Sequence, residues 1–378
     1  MTKQVTDEEW CVLASLLPEG WRELARDTGA IRRARGAISN PDILLQLLLM
    51  HVATGLSLKQ TVARAHLQQL VTVSDVALLK RLRSSEGWLR ELARRMFEAS
   101  RYASVAPKVP GGRRLRAVDA TTVEEPGTTG TDWRVHYSIR LPEMRCDFYE
   151  LTDVRGGETY KRLPVEQGDI ILADRGYCQR EGVAHVLRCH GDAIVRLNST
   201  SFPLLEPRGD EPLQVLPLLR RIKGCRAREW PAQFEVAGER WPVRLCALRK
   251  SKEAAAVSKK KILQVATRKQ KRVRPETLEF AEYVVILATL ERELLDASEV
   301  LEIYRSRWQI ELCFKRIKSL LQLGHLPKRS DISARAWIQG KFLTVLIIER
   351  LIEEARLFSP WGFNLVAAQP VAGVHRSP

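Results

Sequence analysis

Tyr304, Arg307, Glu311 and Lys318 stand at offsets of 0, 3, 7 and 14. At about 100° per residue, these positions fall within roughly a 60° arc of one α-helix. Ile303, Ile310, Phe314, Ile317 and Leu321 form the adjoining apolar stripe, so the polar stripe lies at the rim of a buried face. A plain Arg307–Glu311 surface pair, worth about 0.3–0.5 kcal/mol, explains neither the tyrosine nor that placement. Asp119, in Ala117-Val-Asp-Ala-Thr-Thr122, and Asp174, in Ala173-Asp-Arg-Gly-Tyr177, each close a short apolar strand. If the strands are neighbours, both carboxylates project at one end of a sheet, a costly place for a charge without a partner. Three carboxylates gathered together raise one another's pKa values and tolerate that density around cations. Oxygen-only donors select Mg²⁺ or Mn²⁺ over zinc. Two such ions about 3.5–4 Å apart activate a water or a 3′-hydroxyl on one side of a phosphodiester and stabilise the leaving oxygen on the other. The chemistry these residues could do is in-line phosphoryl transfer.

Positioning them requires a mixed α/β fold. Residues 1–105 read as helical, with Asp7 opening a helix at Glu8–Leu17, Pro41 suited to the first turn of Ile43–Thr54, and a further helix at Leu58–Leu67. Ser74-Asp75 caps a basic helix running toward Phe97, with Lys80, Arg81, Arg83, Arg90, Arg94 and Arg95, in a helix-turn-helix-like pattern that suits DNA. After a Pro/Gly linker, residues 113–198 predict three meandering strands (Arg114–Val123, Trp133–Leu141, Arg145–Val154). A connection, a strand (Asp169–Ala173), a helix (Gln179–Cys189) and a strand (Asp192–Leu197) follow. Residues 199–290 read as β-rich, with a hairpin turn at Val236-Ala-Gly-Glu239 and a basic segment. Between Lys259 and Arg274 there are eight Lys or Arg residues and no acid; Lys269, Lys271, Arg272 and Arg274 are the candidate phosphate contacts. In residues 291–358, Asp296-Ala-Ser-Glu299 is a capping box opening one long helix that carries the polar stripe to Gly324 and Pro327. Arg335–Leu357 is another helix, and residues 359–378 are an irregular tail.

Charge points to the partner. The 378 residues carry 61 basic and 45 acidic side chains, a net +16, and a soluble chain that basic usually meets a polyanion, nucleic acid first. The longest apolar run, Ile43–Val52, falls far short of the roughly 20 residues that span a bilayer, and Asp7, Glu8 and Glu9 stand where a signal segment would be charged and then apolar. The expected setting is the cytoplasm, in a bacterium at the nucleoid. Seven cysteines without a Cys-x-x-Cys pair argue against a zinc ribbon or a disulfide framework, and His185, Cys189 and His190 read as helix packing.

Tyr304-x2-Arg307-x3-Glu311-x6-Lys318 resembles the Y-R-E-K signature of DDE transposases of the insertion-sequence-4 family, complete in residue type and spacing. Asp174-Arg-Gly-Tyr177 is similar to that family's second-aspartate motif and Asp119-Ala-Thr-Thr to its first. The resemblance spans about residues 5 to 360. It implies an RNase H-like catalytic core interrupted by a β-rich insertion, for which the 311−174 = 137 residues between the second Asp and the Glu leave room. It also implies that Asp119, Asp174 and Glu311 hold the two ions, that Tyr304, Arg307 and Lys318 contact phosphates at the transposon end, and that a homodimer holds two ends. The expected activity is cut-and-paste transposition on double-stranded DNA, from terminal inverted repeats into target DNA. The rivals are a silent end-binding relative and an RNase H-like nuclease without strand transfer. Some relatives stack a flipped base on an insertion tryptophan; Trp230 and Trp241 are the available ones here, although core packing suits either better.

Overall fold

β1 (Arg114–Val123), β2 (Trp133–Leu141) and β3 (Arg145–Asp153) pair as an antiparallel meander, β1 and β2 being buried over most of their length. The computed structural model describes residues 2–32, 36–101, 112–124, 133–141, 145–224, 226–320, 326 and 330–357. β4 (Asp169–Ala173) is buried at every residue and pairs parallel to β1, as β5 (Asp192–Arg196) does to β4. Strands buried on both faces read as continuous apolar runs, and Ile170-Ile-Leu-Ala173 does. The crossover from β4 to β5 runs through α7 (Arg180–Arg188).

The strands between residues 199 and 290 continue this same sheet. β6 (Arg228–Val236) and β7 (Glu239–Arg249) form a hairpin whose turn, Ala237-Gly238, has φ of 53° and 80°. Positive φ at both positions is the type I′ geometry that matches strand twist, and Gly238 adopts it without strain. β8 (Tyr283–Ala288) joins the hairpin to β5, giving eight strands in the order β3-β2-β1-β4-β5-β8-β7-β6. One face packs Val118, Ala173, Val195, Phe234 and Leu245 into a common core, against which Trp230 and Trp241 are partly buried. Both tryptophans therefore pack against the sheet.

The chain divides into two compact units, Met1–Met96 with Ile338–Pro378, and Phe97–Trp337. In the first, α1 (Thr2–Ser15) begins earlier than the sequence predicts, and α2 (Trp21–Asp27) was not predicted; Gly20, at φ 71°, precedes it. Trp21 stacks on Trp88 with ring centroids 6.2 Å apart and Trp10 meets its edge. Asn40 caps α3 (Pro41–Thr54) and a Ser57–Gln60 box caps α4 (Leu58–Leu67). The single basic helix expected after Ser74 is two, α5 (Asp75–Ser84) and α6 (Glu86–Arg101). Buried Ser85 breaks them, its hydroxyl donating to Arg81 O at 2.7 Å. Arg90, Arg94 and Arg95 pair with Glu86 or Glu91 on α6, so much of the predicted basic face is internally balanced.

In the second unit, α8 (Val215–Arg220), α9 (Lys252–Arg268), α10 (Pro275–Phe280), α11 (Ala297–Arg305) and α12 (Trp308–Leu320) accompany the sheet. The Asp296–Glu299 capping box forms as expected. The helix it opens, however, breaks at Ser306-Arg307, where Ser306 N and Arg307 N bond three residues back. Tyr304 and Glu311 thus stand on two helices, and a single straight arc does not describe them. Leu321, Gly324 and Pro327 lie outside the described residues, as does the 359–378 tail. α13 (Asp331–Leu357) starts four residues before the expected Arg335. Among the described residues no helix is long and apolar enough to cross a membrane.

Candidate functional site

Parallel pairing of β1 and β4 ends at Val118↔Ala173, and the next residue on each strand is the aspartate. Val118 and Ala173 belong to the core on one face, so alternation puts Asp119 and Asp174 together on the other. The strand has the expected bounds, Arg114–Val123, but Asp119 does not close it: β1 runs four residues further, still paired with β2. Burial pushes the Asp119 carboxyl up to about 6. The charges of Glu158 and Asp174 add to this, against the Ala120 N–H and Arg307.

α12 reaches these aspartates over β1. Tyr137, the cross-strand partner of Asp119, packs on Phe314 with ring centroids 5.6 Å apart. Glu311 is one turn earlier on the helical side that carries Phe314. Arg307 pairs with Glu311 and lies within electrostatic reach of Asp119 and Asp174. Burial alone would lower the Arg307 pKa, but Tyr304, Glu311 and Asp174 outweigh it and raise it. Burial pushes the Tyr304 hydroxyl up to about 12. The structure therefore brings Asp119, Asp174, Tyr304 and Arg307 together and holds Glu311 through Arg307, with 55% of the Glu311 side chain exposed. Among the described residues, no three Asp, Glu, His or Cys side chains are grouped so as to hold an ion. The donors nearest each other are oxygens only, the set that suits a hard divalent cation. Lys318 is half-buried farther along α12, and Lys269, Lys271, Arg272 and Arg274 are exposed beyond α9.

Two further features belong to the site, and the sequence reading passed over both. Glu158 sits against the Asp174-Arg-Gly-Tyr177 turn. A Cβ on Gly176 would meet its Oε2 at 1.8 Å, so any larger residue there would displace the Glu158 carboxylate from the turn. Gln179 Nε2 donates to the carbonyls of both Glu158 and Gly176, tying the segments together. Beside Asp174 also opens a cleft of about 1010 Å³ lined by Arg175, Arg196, Lys250, Lys261, Arg274, Arg305 and Arg307, with Asp174 and Glu276 the only acids. Arg196 ends an apolar strand as Asp174 follows one, and that repeated signal could have marked it.

The raised Asp119 gives a stability test. Its folded pKa of about 6 exceeds the ordinary aspartate value of 3.8, so the folded state binds more protons between those values and stability falls as pH rises through that window. Asp119→Asn should therefore be more stable than the wild type at pH 7.5 in EDTA, by at most about 3 kcal/mol. The gap should close by pH 4. Paired thermal melts across that range check it, and an equal gap at pH 4 and 7.5 would contradict the assigned cause.

Comparison with known proteins gives the family. A family model described as "Transposase DDE domain" matches residues 152–347, taking in Asp174 and Glu311. The transposase for insertion sequence element IS421 of Escherichia coli is 34% identical over 353 residues, 91% of this chain and 93% of the relative. InsL of insertion sequence element IS186A, from Escherichia coli K12, is 34% identical over 352 residues with the same coverage. Among solved structures, a piggyBac transposase synaptic complex with hairpin DNA covers 92% of this chain and 79% of its own, at 11% identity and a TM-score of 0.40; so low a likeness adds nothing to the assignment. The chain belongs to the DDE transposase family of insertion sequences.

Proposed function

We propose that this chain is a cut-and-paste DNA transposase. It cleaves at the ends of its own element and joins the freed 3′-hydroxyl to target DNA. The observation that carries the reading is the Asp119–Asp174 pair on neighbouring parallel strands, faced by Arg307 and Glu311, at the head of a cationic cleft. The β3-β2-β1-β4-β5 order, with β1, β4 and β5 parallel, supports an RNase H-like core. Residues 199–290 are then an insertion whose strands extend its sheet. Asp119, Asp174 and Glu311 would hold Mg²⁺ or Mn²⁺, two ions, which supply charge for the attacking and leaving oxygens of a phosphodiester.

The chain's own groups do the rest. Arg307 balances the carboxylates and, with Tyr304, grips a phosphate at the transposon end. Lys318 lies about 10.5 Å beyond Glu311 along α12 at about 1.5 Å per residue, so it holds a different phosphate from the one that reacts. Hydrolysis leaves a 3′-hydroxyl, and in strand transfer that oxygen replaces the 3′ oxygen of a target phosphodiester, conserving the number of bonds. Residues 1–105 read the terminal inverted repeats, two ends require a homodimer, and the setting is the bacterial cytoplasm at the nucleoid.

The test is nicking of DNA carrying both ends of the chain's own element, with Mg²⁺ or Mn²⁺. Cuts should map to the element's ends, followed by joining to a target plasmid. Binding without cutting supports the silent relative, and cutting without joining the plain nuclease.

The exposed basic arm makes a separable contribution. Lys259, inside α9, is drawn to Glu282 at 2.6 Å, whereas Lys269, Lys271 and Arg272 form no ion pair among the described residues and Arg274 lines the cleft. Changing Lys269, Lys271, Arg272 and Arg274 to Gln should flatten the log K against log salt slope on duplex ends by about 0.9 for each phosphate no longer neutralised. An unchanged slope would place the arm off the DNA.

A further inference from the structure

Arg244 lies in the middle of β7 with 13% of its side chain exposed. Val243 and Leu245 belong to the core on one face of the sheet, so alternation puts Arg244 on the opposite face, the one that carries Asp119 and Asp174. Its guanidinium is committed to one short segment, the connection from β8 to α11. Nε donates to Leu290 O at 2.8 Å, and Nη2 donates to Leu295 O at 2.7 Å and to Glu291 O at 3.2 Å. Nη1 donates to Glu229 Oε2 on β6 at 2.6 Å. The other Glu229 oxygen takes Arg292, inside the same connection, at 2.9 Å. Both strands of the β6–β7 hairpin therefore clamp it. Leu290 and Leu295 are each 2% exposed, so the connection folds inward at both ends, and carbonyls turned in with it need donors. The last carbonyl held, that of Leu295, immediately precedes Asp296, the N-cap of α11. From there α11 packs across β5, β6 and β7.

We propose that Arg244 is a positioning residue for DNA cleavage. From the β6–β7 hairpin it sets the angle at which α11 leaves the sheet, and so the placement of Tyr304 and Arg307 against Asp119 and Asp174. The assignment rests on the reading of those residues given above. Arg244 acts through the helix: Tyr304 stands seven residues after Ala297, about 10.5 Å along the axis at about 1.5 Å per residue. A tilt of about 5° at the start of α11 moves Tyr304 by roughly 1 Å, and a misplacement of about 1 Å costs on the order of 100-fold in rate. The planar fork of an arginine meets three carbonyls and a carboxylate at once, whereas a lysine ammonium is a single point charge and cannot reproduce that spread.

The test uses the full chain and two measurements: single-turnover nicking of a duplex element end at saturating protein with Mg²⁺, and amide hydrogen exchange of the free protein read by mass spectrometry. Arg244→Gln should lower the nicking rate constant by about 10-fold or more, and Arg244→Lys should fall between it and the wild type. The fraction of DNA finally cut and the affinity for the end should each hold within about twofold. Exchange should quicken across residues 290–305 in both variants and stay at the wild-type rate in β1 and β4. Phe234→Leu is the control for simple loss of stability, because Phe234 is buried against Phe202 in the core on the other face. It should lower the melting temperature yet keep the wild-type rate constant when nicking is measured well below its melt. Arg244 variants that cut at the wild-type rate constant, that lose only the fraction cut, or that leave exchange across 290–305 unchanged would overturn the proposal, as would an equal slowing by Phe234→Leu. A wild type that cuts no element end would instead fail the transposase reading itself, whichever way the exchange comes out.

Discussion

Asp119→Ala, Asp174→Ala and Glu311→Ala should each abolish nicking at element ends while leaving end binding intact. Changes to groups that merely orient metal ligands typically cost about 10–100-fold, and loss of a ligand itself should exceed that. Binding should not fall with activity, because each change removes a negative charge beside a cationic cleft. Affinity for duplex ends should hold or rise slightly, most for Glu311→Ala, which releases Arg307 from its ion pair. Misfolding is not expected for two of them, because Glu311 is exposed and loss of the Asp119 charge should stabilise the fold at neutral pH, and thermal melts check all three. Single-turnover nicking at saturating protein with Mg²⁺, beside gel shifts on the same DNA, makes the comparison. Substantial Mg²⁺-dependent nicking by any of the three variants would remove that residue from the centre.

Much of this centre was legible because it is written in local pattern. β2 and the β4 strand carry their bounds in alternation and in continuous apolar runs, and both match the structure residue for residue. Asp119 misled because the apolar run stops where pairing with β4 stops. Pairing with β2 carries β1 on to Val123↔Trp133, the bound that its β-branched run gives, so only the placement of Asp119 at the strand's end failed. The break at Ser306-Arg307 left no trace either. No glycine or proline marks it, and the apolar period runs through. Arg307, turned toward Asp119 and Asp174, supplies a tertiary reason. Arg175 meets Arg196 through the pairing of β4 with β5, and Lys250 joins them because β8 pairs with both β5 and β7. Nonlocal pairing of that kind is decided by the whole sheet and not by any one segment.

Arg116→Met should unfold the catalytic unit or bring it close to unfolding. Arg116 lies on β1, three residues before Asp119, with 4% of its side chain exposed. Its guanidinium meets Asp147 Oδ2 on β3 at 2.5 Å and Asp169 Oδ2 at the start of β4 at 2.9 Å, and it donates to Pro164 O at 2.9 Å. Burial alone would lower its pKa, but the two aspartates overcome that and hold it up. Removing one partner from a buried ion network leaves uncompensated charge and costs about 3–5 kcal/mol, a large share of the roughly 5–15 kcal/mol that holds a domain folded. Asp147 is hit hardest, since its other cation, Arg140, is 3.8 Å away, whereas Asp169 keeps Arg114 at 2.8 Å. Adding Asp147→Leu to Arg116→Met should therefore recover part of the loss, because the stranded charge goes with it. Arg116→Lys should also fall between the extremes, its single ammonium being unable to reach both carboxylates as the fork does. Urea midpoints for the four proteins should rank the wild type first and Arg116→Met last, with Arg116→Lys and the double variant between them. The network also pins the β1–β4 register that places Asp119 beside Asp174, so the folded fraction of Arg116→Lys should nick more slowly per molecule than the wild type. An Arg116→Met chain within about 0.5 kcal/mol of wild type, the range of an ordinary surface substitution, would show that the network neither holds the sheet nor sets that register.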